Sequence, residues 1–493
     1  MIRKILCAKA ILLALLAGYF VIYPAVLGAF AIMDPAIRGP GIPQAAWRQF
    51  RNLSPRYAAW ARRWIGEGNA GKLSLENISG TEWPLFGSVF YLWGVENLQT
   101  AWDAGDHTAK TEPKVFARDA IIAASELVVD PEHAAWVKKH WGDNYLHREN
   151  VFYRMLVISA LTSREKLLHD GAHTAMLRDQ VETFVRELDE SRTGLLDDYP
   201  GQCYPGDVIA AIASVQRADQ VLGTNHSAFV ERALRGFVGI NATRLGLPPY
   251  FADARTGRPL SDAQGCAISY FELTSPELWP QVAKTWYAIY DKHFWQHRIT
   301  ADGYREFANG TAHADWRMDV DSGPVIAGHG VSASAFGAGA ARKNGRFDRA
   351  YPLAAEMLAT VWELPNGVLA VPRLLSNATD APMLGEAAIL WVLTVQPEKG
   401  FPVKTGGGVT PYVYIILVGA LAFGCFLVAE AVLRFQIARR DPEPEIPKPG
   451  FQITLWFGLM VGAGVMLWIA SWPGGLILLL LALMLPIKKK TAK

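Results

Sequence analysis

The chain has 493 residues, a formal net charge of +2 and a composition that is 51% hydrophobic. Near-balanced charge excludes the broad basic footprint of a nucleic-acid binder, so no nucleic-acid partner is expected. The 17 Trp, 16 Tyr and 22 Phe suit an aromatic-lined cavity or a membrane protein.

Residues 10–33 are almost entirely apolar and long enough to span a bilayer. They follow Arg3, Lys4 and Lys9, which places the N-terminus in the cytoplasm. A cleaved signal peptide ending at Ala29-Phe30-Ala31 is the alternative, but the apolar stretch is long for one. Residues 1–33 are therefore read as a transmembrane anchor, 34–405 as one large domain and 406–493 as further membrane segments. Apolar runs at 412–432, 452–470 and 476–487 lie beside Arg434, Arg439, Arg440 and Lys488–Lys490. Keeping these cations inside requires four crossings, with the large domain in the periplasm and a short cytoplasmic linker at 441–450. The lipid bilayer is thus an expected partner and the inner membrane the expected location.

An amphipathic helix at 44–66 leads into the large domain. After it, a Gly/Pro-rich polar loop gives way six times to a small-residue apolar helix. These helices open near Pro84, Glu149, Pro205, Gly265, Pro324 and Pro382, at intervals of 56 to 65 residues. Each interval has room for an outward and a returning helix, and such a period signals a repeat architecture. Proline in a first helical turn is well tolerated, because its missing N–H would be unpaired there. The predicted fold is all-α, an (α/α)6 toroid whose helix-opening loops gather at one mouth. The fifth apolar helix is expected to begin at Val325, and strands are admitted only near 304–307 and 367–371.

Chemistry is concentrated in the mouth loops. Glu76 and Glu82 precede the first apolar helix, which carries Tyr91 and Trp93. Tyr145, His147 and Glu149 precede the second, which opens with Asn150 and Phe152. The densest stretch, 196–207, holds Asp197, Asp198, Tyr199, Gln202, Cys203, Tyr204 and Asp207. Cys203 lies just ahead of a helix N-terminus, whose dipole and free N–H groups favour a thiolate. Asp207 reads as a cap. Cys266 opens the fourth helix with Tyr270 one turn on, and in an oxidising compartment the two thiols either pair or stay reactive. Asp319 is an acid–base candidate if a neighbouring carboxylate raises its pKa, and Asp321 or Ser322 suits an N-cap. Glu386 is expected to face the ring centre. His293 and His297 share a helix face without a third ligand, and neither C-x-x-C nor H-E-x-x-H occurs. No metal and no cofactor is expected. Phe336-Gly337-Ala338-Gly339-Ala340 reads as a close-packing helix surface.

Leu75-Glu76-Asn77-Ile78-Ser79, Val89-Phe90-Tyr91-Leu92-Trp93-Gly94, Glu149-Asn150-Val151-Phe152-Tyr153 and the Pro-Gly-Gln-Cys203 loop resemble the linalool dehydratase/isomerase family, over roughly residues 70–400. The resemblance implies an (α/α)6 toroid and a small hydrophobic alcohol as substrate. It also implies an active site containing Glu76 and Cys203, and a homo-oligomeric ring. With membrane spans attached, the chain looks most like the membrane-anchored isomerases of that family. It departs from the dehydratase pattern in two places. Residues 193–202 lack a second cysteine, and residues 150–155 lack a histidine. Dehydration loses support; interconversion of linalool and geraniol does not. A carboxylic acid, Glu76 or Asp198, would protonate the hydroxyl, and Tyr91, Trp93, Phe152, Tyr204 and Tyr270 would surround the allylic cation. Alternatively Cys203 would attack as a thiolate, with Cys266 standing in for the missing thiol. A glycan-active hydrolase pairing Asp198 or Asp207 with Asp319 or Glu386 is the rival reading, and a non-catalytic periplasmic scaffold the third.

Overall fold

The computed structural model describes residues 2–68, 70–74, 77–311, 313, 315–319, 321–377, 382–440, 449–468 and 472–485. It is mostly helical and divides into two units. The larger comprises 31–361 and 366–413; the smaller comprises 1–30, 362–365 and 414–493.

Six apolar helices organise the larger unit: Trp83–Asp103, Val151–Leu168, Pro205–Leu222, Gly265–Leu278, Val331–Lys343 and Leu384–Thr394. We call them the first to sixth core helices. The first packs against the second and the sixth, the third against the second and fourth, and the fifth against the fourth and sixth. Small residues set these close approaches. A Cβ on Gly94 would lie 3.0 Å from Leu390, and one on Gly339 would lie 2.9 Å from Leu273. Amphipathic helices cover the set from outside. Gln44–Gly66 packs on Arg118–Val129 and the sixth core helix, and Thr174–Glu190 on the second. Pro280–Phe294 packs on the fourth and Phe347–Thr360 on the fifth.

Each core helix buries most of its circumference, which explains the lack of an apolar stripe in its sequence. The charged side chains of Arg154, Arg217 and Lys343 that enter this interior are paired. Arg154, fully buried, donates to Glu187 at 2.6 Å, Gln180 at 3.1 Å and Thr183 at 2.7 Å. Farther along the core helices, Arg217 meets Glu277 at 2.7 Å and Lys343 meets Glu398 at 2.7 Å.

Two expectations are corrected here. The fifth core helix begins at Val331, not Val325, because Gly323–Ile326 forms a strand between Trp316–Asp319 and His329–Gly330. The first pairing is antiparallel with Asp319 opposite Gly323, and Gly323 and Gly328 take the positive φ these turns require. Residues 367–371 form no strand; Ala370–Asn377 is helical. The strand anticipated near 304 runs Asp302–Tyr304 and pairs with Trp295–His297.

In the smaller unit, two helices are long and apolar enough to cross a bilayer: Arg3–Met33, whose middle turn Gly18–Ile22 is a π-helix, and Pro411–Arg440. The Phe20 carbonyl within that π turn accepts a hydrogen bond from the Trp362 indole at 2.8 Å. Pro449–Trp468 and Trp472–Leu483 follow. At 1.5 Å per residue the last is about 18 Å long, short of a hydrocarbon core of about 30 Å. Leu13, Ala17, Leu427, Ala431 and Leu483 form the core of this unit. Arg434 closes the final helix by donating to the carbonyls of Leu483, Met484 and Leu485 at 3.0, 2.8 and 2.7 Å. Those carbonyls have no intrahelical partner, so a cation suits them.

Candidate functional site

The loop before the third core helix is a rigid tight turn. Asp197 accepts from the Gly201 N–H at 2.8 Å and donates its own N–H to Glu149 at 2.7 Å. Gly201 has φ +80, and Gln202 and Tyr199 bond across the turn. The Trp141 indole holds the Asp198 carbonyl at 3.1 Å. Asp198 is buried, and one carboxyl oxygen accepts from the Tyr204 N–H at 2.6 Å. It therefore holds the start of the third core helix. Its other oxygen has no partner.

Around this turn the fold gathers acids from three loops. Asp207 lies in the first turn of the third core helix. Burial, then Asp321 and Glu82, raise its carboxyl to about 8. Burial raises Glu82 to about 7, against the opposing pull of a 2.5 Å hydrogen bond from the Tyr199 hydroxyl. Asp198 is pushed well up by burial and by Asp207, and Asp321 is raised by burial although Tyr250 donates to it. Carboxyls crowded in a poorly solvated space cannot all ionise. Several stay protonated at neutral pH and can donate.

An aromatic stack adjoins the acids through Tyr270, which feels Asp207. Phe86 lies 4.2 Å from Phe90, which stacks on Trp391 at 4.9 Å. Tyr270 packs edge-on to Phe86 at 5.8 Å, with Phe336 at 6.0 Å. Phe152 meets Phe86 at 5.6 Å. The Tyr270 hydroxyl is buried without a partner and feels the charge of Asp207. Tyr204 packs against Tyr250 and Phe251 at 5.4 and 5.3 Å, and burial raises its phenol to about 12.

Both cysteines at this end are free. Burial and the surrounding carboxyls, Asp198 foremost, push the Cys203 thiol well up. The thiolate expected there from the helix dipole is therefore disfavoured: low dielectric and four nearby acids outweigh one helix end. Cys266 donates its thiol to Glu306 at 3.0 Å, and burial followed by Glu306 raises it as well.

Of the residues singled out from the sequence, Glu82, Asp198, Tyr199, Cys203, Tyr204, Cys266 and Tyr270 come together here. Phe152 borders the aromatic stack. Asn150 is buried at φ +34 and donates to the Tyr145 carbonyl at 3.2 Å, so it shapes the loop. Glu76 lies outside the described residues. Four placements are corrected. Tyr91 faces the Gln44–Gly66 helix, stacked on Tyr57 at 4.6 Å with its hydroxyl on Ser54 at 2.8 Å. Trp93 lies deeper, 4.8 Å from Trp391 and under the Arg217 guanidinium at 5.3 Å. Asp319 pairs with Arg317 at 2.5 Å and accepts the N–H groups of Asp321 and Ser322, which makes it a turn-former. Glu386 feels Arg373 and Arg56 and raises Tyr57, so it points outward rather than to the centre. Tyr145, His147 and Glu149 serve the loop scaffold rather than the acid cluster.

Sequence reasoning missed Asp321 as a site acid, having read it as a cap, and gave Asp207 an acid role only in the hydrolase reading. It also missed Tyr250, Glu306, Phe86, Phe336 and Trp391. Phe336 was legible as the one large residue in a run of Ser, Ala and Gly; Glu306 carried no local signal. Among the described residues, no group of three His, Cys, Asp or Glu is placed to hold a metal ion. No family model matches the chain, and no curated protein matches it at a significant level.

Proposed function

We propose that this protein is a membrane-anchored isomerase that interconverts linalool and geraniol in the mouth of an (α/α)6 toroid. The toroid reading is supported by the cyclic order of contacts among the core helices. The two long apolar helices, together with the cation pattern of the sequence, support an inner-membrane protein with several crossings and the toroid in the periplasm. A ten-carbon alcohol concentrates in lipid, so membrane anchoring suits the substrate.

The observation that carries the reading is a cluster of acids from three loops, held largely protonated by burial and mutual charge, next to an aromatic stack whose Tyr270 feels Asp207. Asp207, assisted by Glu82, protonates the allylic hydroxyl, which leaves as water. The faces of Phe86, Tyr270 and Trp391 stabilise the allylic cation, and the carboxylate left on Asp207 after proton transfer balances its charge. Water then adds at the other end of the allyl system and returns its proton to Asp207. Acid–base assistance of this kind supplies about 10²–10⁴-fold.

One observation favours a second reading, a glycan-active hydrolase: Asp207 and Asp321 lie close enough for one to raise the other, as paired-carboxylate chemistry requires. The two readings separate in one experiment. Membranes containing the protein are incubated with linalool or geraniol, without metal or nucleotide and under reducing conditions, and products are followed by gas chromatography. Interconversion that collapses in Asp207→Asn supports the isomerase. No conversion by a folded preparation overturns it in favour of the hydrolase.

A further inference from the structure

Phe336 is the one large side chain between Ser332 and Ala341 on the fifth core helix; the others are Ser, Ala and Gly. Its ring meets Phe90 of the first core helix at 5.5 Å, Tyr270 of the fourth at 6.0 Å and Trp391 of the sixth at 6.1 Å. A side chain with partners on three other core helices points into the middle of the set. Phe86, in the first turn of the first core helix, does the same, with Phe152 of the second at 5.6 Å and Tyr270 at 5.8 Å. Phe86 and Phe336 are only half-buried, whereas Phe90, Tyr270 and Trp391 are buried. The interior is therefore open on the side of the helix starts, and these two rings border the opening.

Tyr270 is 6% exposed, its hydroxyl has no partner, and beyond burial it feels the charges of Asp207 and Arg217. A hydroxyl left unpaired at that depth marks a place where a ligand's polar group is received. Farther from the helix starts the interior closes. Phe86, Phe90 and Trp93 follow one another along the first core helix, and at 1.5 Å per residue Trp93 lies about 10 Å past Phe86. Trp93 packs on Trp391 at 4.8 Å and lies under the Arg217 guanidinium at 5.3 Å. Beyond it, five core helices contribute ion pairs: Arg217 with Glu277 at 2.7 Å, Lys343 with the same Glu277 at 3.4 Å, and Lys166 with Glu96 at 2.9 Å. An alkyl tail that reached this layer would take water from the charges without pairing them, which is unfavourable.

We infer that Phe336 is the stop that sets how long an apolar tail this site admits; the chemical class of that ligand rests on the allylic-alcohol reading above. With the hydroxyl held between Asp207 and Tyr270, the tail runs inward and ends against the Phe336 ring. A ten-carbon alcohol fits, and its fifteen-carbon homologue does not. Phe90 and Trp391 lie behind the ring, so removing it lengthens the space over apolar surface before the charged layer is met. The fifth core helix cannot move in to refill that space, because its backbone is already in close contact elsewhere. A Cβ on Gly337 would strike the Tyr304 ring, and one on Gly339 would lie 2.9 Å from Leu273.

The test compares linalool with nerolidol, the fifteen-carbon tertiary allylic alcohol, on the full chain in detergent, with kcat/KM for each read by gas chromatography. Wild type should strongly prefer linalool. Phe336→Ala should raise the nerolidol-to-linalool ratio by about 10–200-fold, the discrimination a hydrophobic pocket makes over a change in chain length. Phe336→Leu should move the ratio part of the way, and it carries the test if Phe336→Ala does not fold. Phe184→Leu trims an equally buried ring on the outer helix Thr174–Glu190 and should leave the ratio unchanged. Thermal melts check that each protein is folded. Equal turnover of both alcohols by wild type, or an unchanged ratio in the folded Phe336 variants, overturns the stop and leaves the isomerase intact. So does an equal rise in Phe184→Leu. The second readout is the gain in melting temperature given by the saturated analogues of the two alcohols, which bind without ionising to an allylic cation. If neither alcohol is turned over, a gain from the longer analogue confined to the Phe336 variants supports the stop and overturns the allylic alcohol as reactant. No turnover and no such gain overturns both.

Discussion

At Asp207, burial and the neighbouring carboxyls of Asp321 and Glu82 act in one direction, so the proton is retained at neutral pH. Because the proposed step consumes that proton, turnover should fall as pH rises through about 7 to 8, the values of Glu82 and Asp207. The decline, followed by gas chromatography, should be absent from the residual activity of Asp207→Asn. The same groups govern stability. Glu82, Asp207 and Glu306 all sit above the unfolded carboxyl values near ~4, so the folded chain holds more protons than the unfolded one. Their contribution is complete below about 4 and is lost as pH rises through about 7 to 8. His329 works in the opposite sense. Burial, Arg298 and Arg305 lower it to about 4, so its contribution is lost as pH falls below its unfolded value near ~6.5. Between about 6.5 and 8 the carboxyls act without this opposition. The melting temperature should therefore drop across that window, and the double variant Glu82→Gln, Asp207→Asn should flatten the slope.

At the scale of elements, the first core helix presents two opposite faces with different duties. Phe86 and Phe90 join the central aromatic stack, while Tyr91 and Ser88 turn to the Gln44–Gly66 helix through Ser54 and Tyr57. Tyr91→Phe should accordingly cost about 1 kcal/mol of stability through one lost buried hydrogen bond, with turnover within about twofold of wild type; thermal melts and product assays separate the two effects. A change of turnover beyond tenfold would return Tyr91 to the site. The start of the third core helix was legible in the sequence, because Pro205 and the Gly206-Asp207 that follow belong to a helix start. The start of the fifth was not. Gly323, Gly328 and Gly330 allow a strand pair to displace the first turn and a half of helix. The hairpin is met there by Tyr250, 71 residues before its partner Asp321, and by Glu306 against Gly330, neither of which is a local signal.

Across the whole molecule, the apolar helices divide by where their surfaces go. Those of the larger unit bury themselves on each other; Arg3–Met33 and Pro411–Arg440 keep large apolar side chains exposed, among them Leu15, Phe30, Ile415 and Phe426. Exposed surface of that kind suits lipid, and under the membrane-anchor proposal the protein should stay in the membrane pellet after alkaline carbonate extraction. Release into the supernatant would overturn the anchor reading. The six-fold spacing, the long apolar runs and the acidic third loop could all be read along the chain, since each is a matter of composition and period. Which acid faces which, and which aromatic faces inward, could not. A helix interior is buried all round, so periodicity carries no direction there. The grouping of Asp207 with Asp321, and of Cys266 with Glu306, joins loops more than thirty residues apart. Sequence alone therefore determined the kinds of helix and the chemical endowment of the loops between them. Only the tertiary structure decided the protonation of its acids, because burial and neighbouring charge are properties of the packed molecule and not of any segment.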